Sequence, residues 1–132
     1  MDIRVTSLTR AAKIKRRFSA VLTIEDPNIR NGLRFHTIPH PDHLILRFED
    51  VDTHVDDVAL PDVRHVEAAI SFGREHQDGS LLIHCKAGVA RSTALALAII
   101  SDRYGKGHED KAVAKLLEIR PESTPNLILL KM

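Results

Sequence analysis

The sequence predicts an α/β fold: a single layer of mostly parallel sheet, four to five strands, flanked by helices. Three observations carry this. Short apolar runs of strand length alternate with longer segments of helical period, the order that gives parallel strands joined by crossover helices. Leu81, Leu82 and Ile83 are apolar at every position, as in a strand buried on both faces. A tight loop then leads into the helix-forming run of residues 93–100, and in such sheets ligands bind where a central strand gives way to loop and helix. At 132 residues, 43% hydrophobic and 28% charged, the chain suits one domain, residues 1–132, around one core.

The elements follow in order. Residues 3–6 read as a first strand. Ser7 is placed to cap a helix reaching about residue 17, with Leu8, Ala11 and Ile14 or the stem of Lys15 turned inward. Residues 20–24 are a second strand. Residues 25–34 hold Pro27, Asn28, Asn31 and Gly32 and read as loop. Residues 34–38 form a short strand and 44–48 a better one, before the acidic, loop-like stretch 50–57. Pro61 suits the first turn of a helix that places Val63, Val66 and Ile70 on one face. Asp78 and Gly79 turn the chain into a central strand at 81–84. The helix after Arg91 ends near Tyr104, where Gly105 and Gly107 stop it. A last amphipathic helix runs from about 109 to 119, with Ala112, Val113, Leu116 and Leu117 apolar, and Pro121 and Pro125 close it.

Composition excludes several classes. A net charge of +1 argues against general binding to nucleic acid or a membrane surface. The longest apolar run, residues 94–100, is far too short to cross a bilayer, and the start of the chain lacks the apolar core of a signal peptide. Cys85 is the only cysteine, so no internal disulfide forms, and a lone thiol fits a reducing cytoplasm. His36, His40 and His43, with His54 beyond, match no standard zinc spacing, so no metal is assigned. Lys13, Lys15, Arg16 and Arg17 form a basic run that reads first as a solvated face and second as a steering patch for anions. Nothing in the pattern sets an oligomeric state.

The chemistry concentrates in the loop His84-Cys85-Lys86-Ala87-Gly88-Val89-Ala90-Arg91-Ser92. A loop at a helix N-terminus presents unused backbone N–H groups in front of the positive end of the helix dipole, a ready cradle for a phosphate-like anion. Cysteine at the head of the loop feels the same field, which favours its thiolate. Arginine at its end forks onto two oxygens of the anion. A buried inert thiol is the commoner fate of a lone cysteine, but the pairing of Cys85 with Arg91 across Gly88 overturns that reading.

This loop resembles the C-x5-R-[ST] phosphate loop of the cysteine-dependent protein tyrosine phosphatases. The histidine before the cysteine, the glycine within, the arginine at the end and the serine after it all agree, and the resemblance covers most of residues 43–127. It implies a small phosphatase of the dual-specificity type. Cys85 is then the nucleophile, and Arg91 the main transition-state donor. The backbone amides of Lys86, Ala87, Gly88, Val89, Ala90 and Arg91 are the phosphate cradle. Ser92 donates to the Cys85 sulfur when it leaves. His84 supports the loop through backbone bonding. The family's leaving-group acid is an aspartate on a loop that follows a strand upstream of the cysteine. Asp50 is the first choice here and Asp52 the alternative, with Asp56 and Asp57 beyond. Asn126, in Pro125-Asn126, corresponds to a residue that braces the loop from behind. The family's usual final helix is missing from this chain, which leaves the apolar residues 127–130 exposed or covered by a partner.

No cofactor is implied. The expected partner is a phosphorylated protein or another phosphomonoester. Two other readings stay open: a phosphatase of phosphoinositides or another non-protein phosphate, and a phosphate-binding module with weak or no catalysis. The lipid branch carries a second lysine in the loop, where this chain has Val89 and Ala90. Intact Cys85, Arg91 and Ser92 count against the inactive module.

Overall fold

In the computed structural model, residues 2–25, 42–47, 63–85 and 91–121 are described here. The elements are β1 (Asp2–Ser7), α1 (Leu8–Ile14) with a 3-10 turn at Lys15–Arg17, β2 (Ala20–Glu25), β3 (His43–Arg47), α2 (Val63–Glu75), β4 (Ser80–Cys85), α3 (Arg91–Tyr104) and α4 (Glu109–Ile119). The four strands form one sheet in the order β1-β4-β2-β3, and every pairing is parallel. The expected short strand at 34–38 lies outside the described residues, as do residues 122–132.

The apolar runs explain the layering. β2 is buried along its whole length and β4 nearly so, which follows from helices covering both sheet faces. One face carries Ile3, Val5, Leu22, Ile24, Leu46, Leu81 and Ile83, which pack with α2, α3 and α4 into the main core. The other carries Val21 and Leu82 under Ala11 and Ile14 of α1, with Phe18 alongside.

α3 is the hub of the helical layer. Ala94, Leu95, Ala96, Ile99 and Ile100 are buried, and it packs against both α2 and α4. Small residues bring α2 close: a Cβ on Gly73 would sit 2.7 Å from Ile99 Cγ2. The same interface carries an Arg74–Asp102 ion pair, with Arg74 Nε donating at 2.9 Å, and a bond from Arg103 Nη2 to the Gly73 carbonyl at 3.0 Å. α3 ends as its sequence requires. Gly105 takes φ +87° and donates its N–H to the Ser101 carbonyl at 2.9 Å, a left-handed cap open to glycine at little cost.

Three expectations need correction. Lys15 is buried, as the reading that turns its stem inward expects and against its place in a solvated basic face, whereas Lys13, Arg16 and Arg17 are exposed. Burial and the neighbouring Arg16 hold its ammonium below the usual lysine range. The buried stripe of α2 is Ala69 and Gly73, with Val63 at the exposed end. On α4, Ala112 and Leu116 face the core while Val113 and Leu117 are nearly half exposed, at 45% and 46%. On α2 and α4 the segment is helical as its period predicts, and the packing partner selects which residues of it are buried.

Candidate active site

β4 occupies the interior of the sheet because its residues from Leu81 to Cys85 carry no side chain that demands water, apart from His84. Its C-terminal end therefore opens at the centre of the sheet edge where parallel sheets bind ligands. Cys85 is the last residue of that strand and Arg91 the first residue of α3. Cys85 is 3% exposed, Arg91 4% and Ser92 0%, so three polar groups share one buried junction. Cys85 Sγ and Ser92 Oγ lie 3.2 Å apart, within hydrogen-bonding reach for sulfur. Cys85 is unbridged, and it pairs in register with Ser7 of β1.

Burying a guanidinium in this position is expensive unless anionic or dipolar oxygen surrounds it. The start of α3 supplies the complementary condition for an anion, since the first turn of a helix leaves its N–H groups unused by the helix itself. The site thus combines a thiol, a hydroxyl, a fixed positive charge and the positive end of a 14-residue helix. Lys86, Ala87, Gly88, Val89 and Ala90 of the expected cradle lie outside the described residues. So do Asp50, Asp52, Asp56, Asp57 and Asn126.

No family model matches the chain. Among curated proteins it is similar to the tyrosine-protein phosphatase YVH1 of Saccharomyces cerevisiae, 28% identical over 82 residues. That match covers 58% of this chain, which spans only 22% of the yeast protein. Among solved structures, human DUSP28 aligns with a TM-score of 0.72 at 19% identity, over 98% of this chain and 86% of that one. A Cydia pomonella PTP-2 phosphatase gives 0.69 at 21% identity, over 99% and 83% of the two chains. A mouse putative dual specificity phosphatase gives 0.65 at 21%, over 95% and 75%. The fold is that of the small dual-specificity phosphatases.

In this dual-specificity phosphatase fold the strand that carries Cys85 is flanked by polar contacts that the sequence does not announce. His84 is 1% exposed, and its Nε2 lies 2.8 Å from Thr23 Oγ1 of β2. The same hydroxyl lies 2.6 Å from Nε2 of His43 on β3. Burial, then the nearby His43 and Lys15, push the His84 imidazole down to about 3, against a smaller opposing pull from a backbone hydrogen bond at Cys85. His84 is therefore neutral near pH 7, and its part is hydrogen bonding rather than charge. Farther along this face Glu25, 7% exposed, accepts from Arg47 Nε at 2.8 Å.

Thr23 and His43 had no local signature. Thr23 interrupts an apolar run by one hydroxyl, and His43 stood out only as one of several histidines near two prolines. Their meeting depends on two strand pairings, Thr23 with His84 and Val21 with His43. His36 and His40 lie outside the described residues, and among the described residues no group of three or more His, Cys, Asp or Glu is placed to hold a metal. Among the described residues no helix is long and apolar enough to cross a membrane.

Proposed function

We propose that residues 1–132 form a phosphatase domain that hydrolyses phosphate monoesters through a cysteinyl-phosphate intermediate. The observation that carries this reading is the junction of β4 and α3, where Cys85 Sγ meets Ser92 Oγ at 3.2 Å beside the buried Arg91. The similarity of fold to dual-specificity phosphatases supports it.

In the first step the Cys85 thiolate attacks phosphorus. The S–P bond forms, the bond from phosphorus to the substrate oxygen breaks, and Asp50, or Asp52 in its place, gives that oxygen a proton. Arg91 and the amides of residues 86–91 hold the equatorial oxygens and stabilise the charge that builds on them. In the second step water attacks the same phosphorus, loses its proton to the aspartate, and expels the sulfur. The Ser92 hydroxyl, hydrogen-bonded to that sulfur, eases its departure as thiolate. His84 stays neutral and holds the strand end, and Asn126 braces the loop. A reducing compartment such as the cytoplasm keeps the single thiol in its active state.

The substrate class proposed is a phosphorylated protein. A panel of phosphotyrosine peptides, phosphoserine peptides and phosphoinositides, assayed with wild type and Cys85→Ser, tests both the mechanism and the class. Turnover is expected on phosphopeptides and lost in the variant, since serine lacks the base that would activate it. Cys85→Ser hydrolysing at the wild-type rate removes the cysteine mechanism. Preference for the lipid substrates removes the protein assignment.

A further inference from the structure

Thr23 sits on the sheet face opposite the main core, and its side chain touches two imidazoles from two different strands. The distances are 2.6 Å to His43 Nε2 and 2.8 Å to His84 Nε2, both within strong hydrogen-bond range. A hydroxyl has one proton to donate. It can donate to only one of the two rings, so the other must donate its own Nε2–H to the threonine oxygen. The two rings are therefore locked in complementary protonation states at Nε2, and the chain of contacts has a direction.

We propose that Thr23 and His43 are positioning residues for the catalytic cysteine, acting through a hydrogen-bonded chain that crosses three adjacent strands, from His43 on β3 through Thr23 on β2 to His84 on β4. The chain ends one residue from Cys85. It fixes the ring of His84, and with it the backbone that sets the direction of Sγ toward Ser92 and the loop. The inference rests on the phosphatase reading of Cys85.

Burial gives the chain its weight. Thr23 is 1% exposed and His84 1%, so water does not replace a lost partner at no cost. His84 is also held neutral, which keeps one of its ring nitrogens an acceptor and makes its tautomer a matter of what Thr23 offers. If His43 donates from Nε2, Thr23 donates to His84 Nε2 and the His84 proton resides on Nδ1; in the opposite sense Thr23 donates to His43 and His84 donates from Nε2. The other charged groups described on this side include Lys15 of the 3-10 turn, Asp42 before β3, the Glu25–Arg47 pair, and Asp2 and Arg4 of β1. Lys15 disfavours a charge on His84 as His43 does.

Thr23→Val keeps the shape of the side chain and deletes the hydroxyl, while Thr23→Ser keeps the hydroxyl. Three readouts are taken: kcat and KM on an aryl phosphate, and the rate of Cys85 alkylation by iodoacetate at pH 6. In Thr23→Val, kcat falls about tenfold with KM within about twofold, the pattern of a group felt in the barrier rather than in binding. Alkylation slows by about threefold or more, because the thiolate is less well presented. Thr23→Ser stays within about twofold of wild type in all three, a rescue that a packing role for the missing methyl would not give.

His43→Ala removes the far end of the chain at a half-buried strand position and is the deciding variant if Thr23→Val does not fold. It lowers kcat and alkylation in the same direction by about threefold, as one neutral hydrogen bond contributes. A folded Thr23→Val, or in its absence His43→Ala, with wild-type kcat and wild-type alkylation overturns the inference. Wild-type turnover in the same assay keeps that failure separate from a failure of the cysteine mechanism, which would show as no turnover dependent on Cys85.

Discussion

His84 is a buried base whose charged form the fold disfavours, and that makes stability depend on acid in a definite direction. Its folded value is about 3, below the ordinary 6.5 of an exposed histidine. Above the unfolded value both states are neutral and the contribution to stability is complete. Below it the unfolded chain binds a proton that the native ring refuses, so stability falls as pH drops through the window from 6.5 toward 3. The slope from this one group approaches ~1.4 kcal/mol per pH unit. Urea unfolding at pH 7 and pH 4.5 should show a loss of about 2–3 kcal/mol from it. His84→Asn should flatten that stretch of the curve. An equally steep fall in the variant would place the effect in other groups.

The acid is the second residue-scale question. If Asp50 protonates the leaving oxygen, Asp50→Asn cuts turnover on tyrosyl phosphopeptides by about a hundredfold or more and costs much less on an activated aryl phosphate, whose phenolate leaves unaided. The basic limb of the pH–rate profile flattens with it. Asp52→Asn is the matched comparison, and the leaving-group dependence appearing there alone would transfer the role to Asp52.

At the scale of elements, the α2–α3 contact is a close one. Gly73→Ala adds a methyl 2.7 Å from Ile99 Cγ2, and Ile99 is 1% exposed with nowhere to retreat. Alanine favours a helix by about 1 kcal/mol over glycine, but overpacking costs about 1–3 kcal/mol, so the net change is destabilising. Chemical denaturation should report a loss of about 1 kcal/mol, and a gain in stability would mean that the seam yields. Legibility at this scale was uneven for physical reasons. Strand and helix positions were visible because period and punctuation are local: Ser7, Asp78-Gly79 and Gly105 stand where the structure bends or caps. The start of β3 was missed by one residue because His43 breaks the apolar run, although its backbone pairs with Val21. Glu25 reads as the start of a loop because Pro27, Asn28, Asn31 and Gly32 follow it, whereas in the structure it ends β2 and accepts from Arg47 of another strand.

At the scale of the molecule, the site lies where two elements end, so an anion held there ties the sheet to the helical layer. Ligand bound only to the folded state raises its stability by mass action, about 2.7 kcal/mol at a hundred times Kd. Inorganic phosphate or vanadate should therefore raise Tm in wild type. The rise should persist in Cys85→Ser with phosphate, which needs no thiolate, and should shrink strongly in Arg91→Lys, because a point charge does not replace a forked donor. An undiminished shift in Arg91→Lys would remove that residue from the anion site. The candidate site reads from the sequence because glycine, cysteine and arginine fall in one stretch of chain, with His84 beside them as a supporting residue. The contacts of Thr23 and His43 with His84 do not read from it, because they form only when three strands pair.

The order of strands also governs when Cys85 reaches its place in the sheet. β1 is synthesised early, yet it pairs with β4, Asp2 against Ser80 and Ser7 against Cys85. Between them β2 and β3 are made, and β2 too pairs with β4. The sheet is thus dominated by contacts of large sequence separation, the condition under which loop-closure entropy is spent before any pairing repays it, and folding is slow. β4 is the keystone: until it emerges from the ribosome, β1 and β2 share no partner and their apolar edges stay open to association. A chain stopped after β4 and before α3 can make the sheet pairings of β4, yet it holds Cys85 without the Ser92 hydroxyl that meets its sulfur in the complete fold.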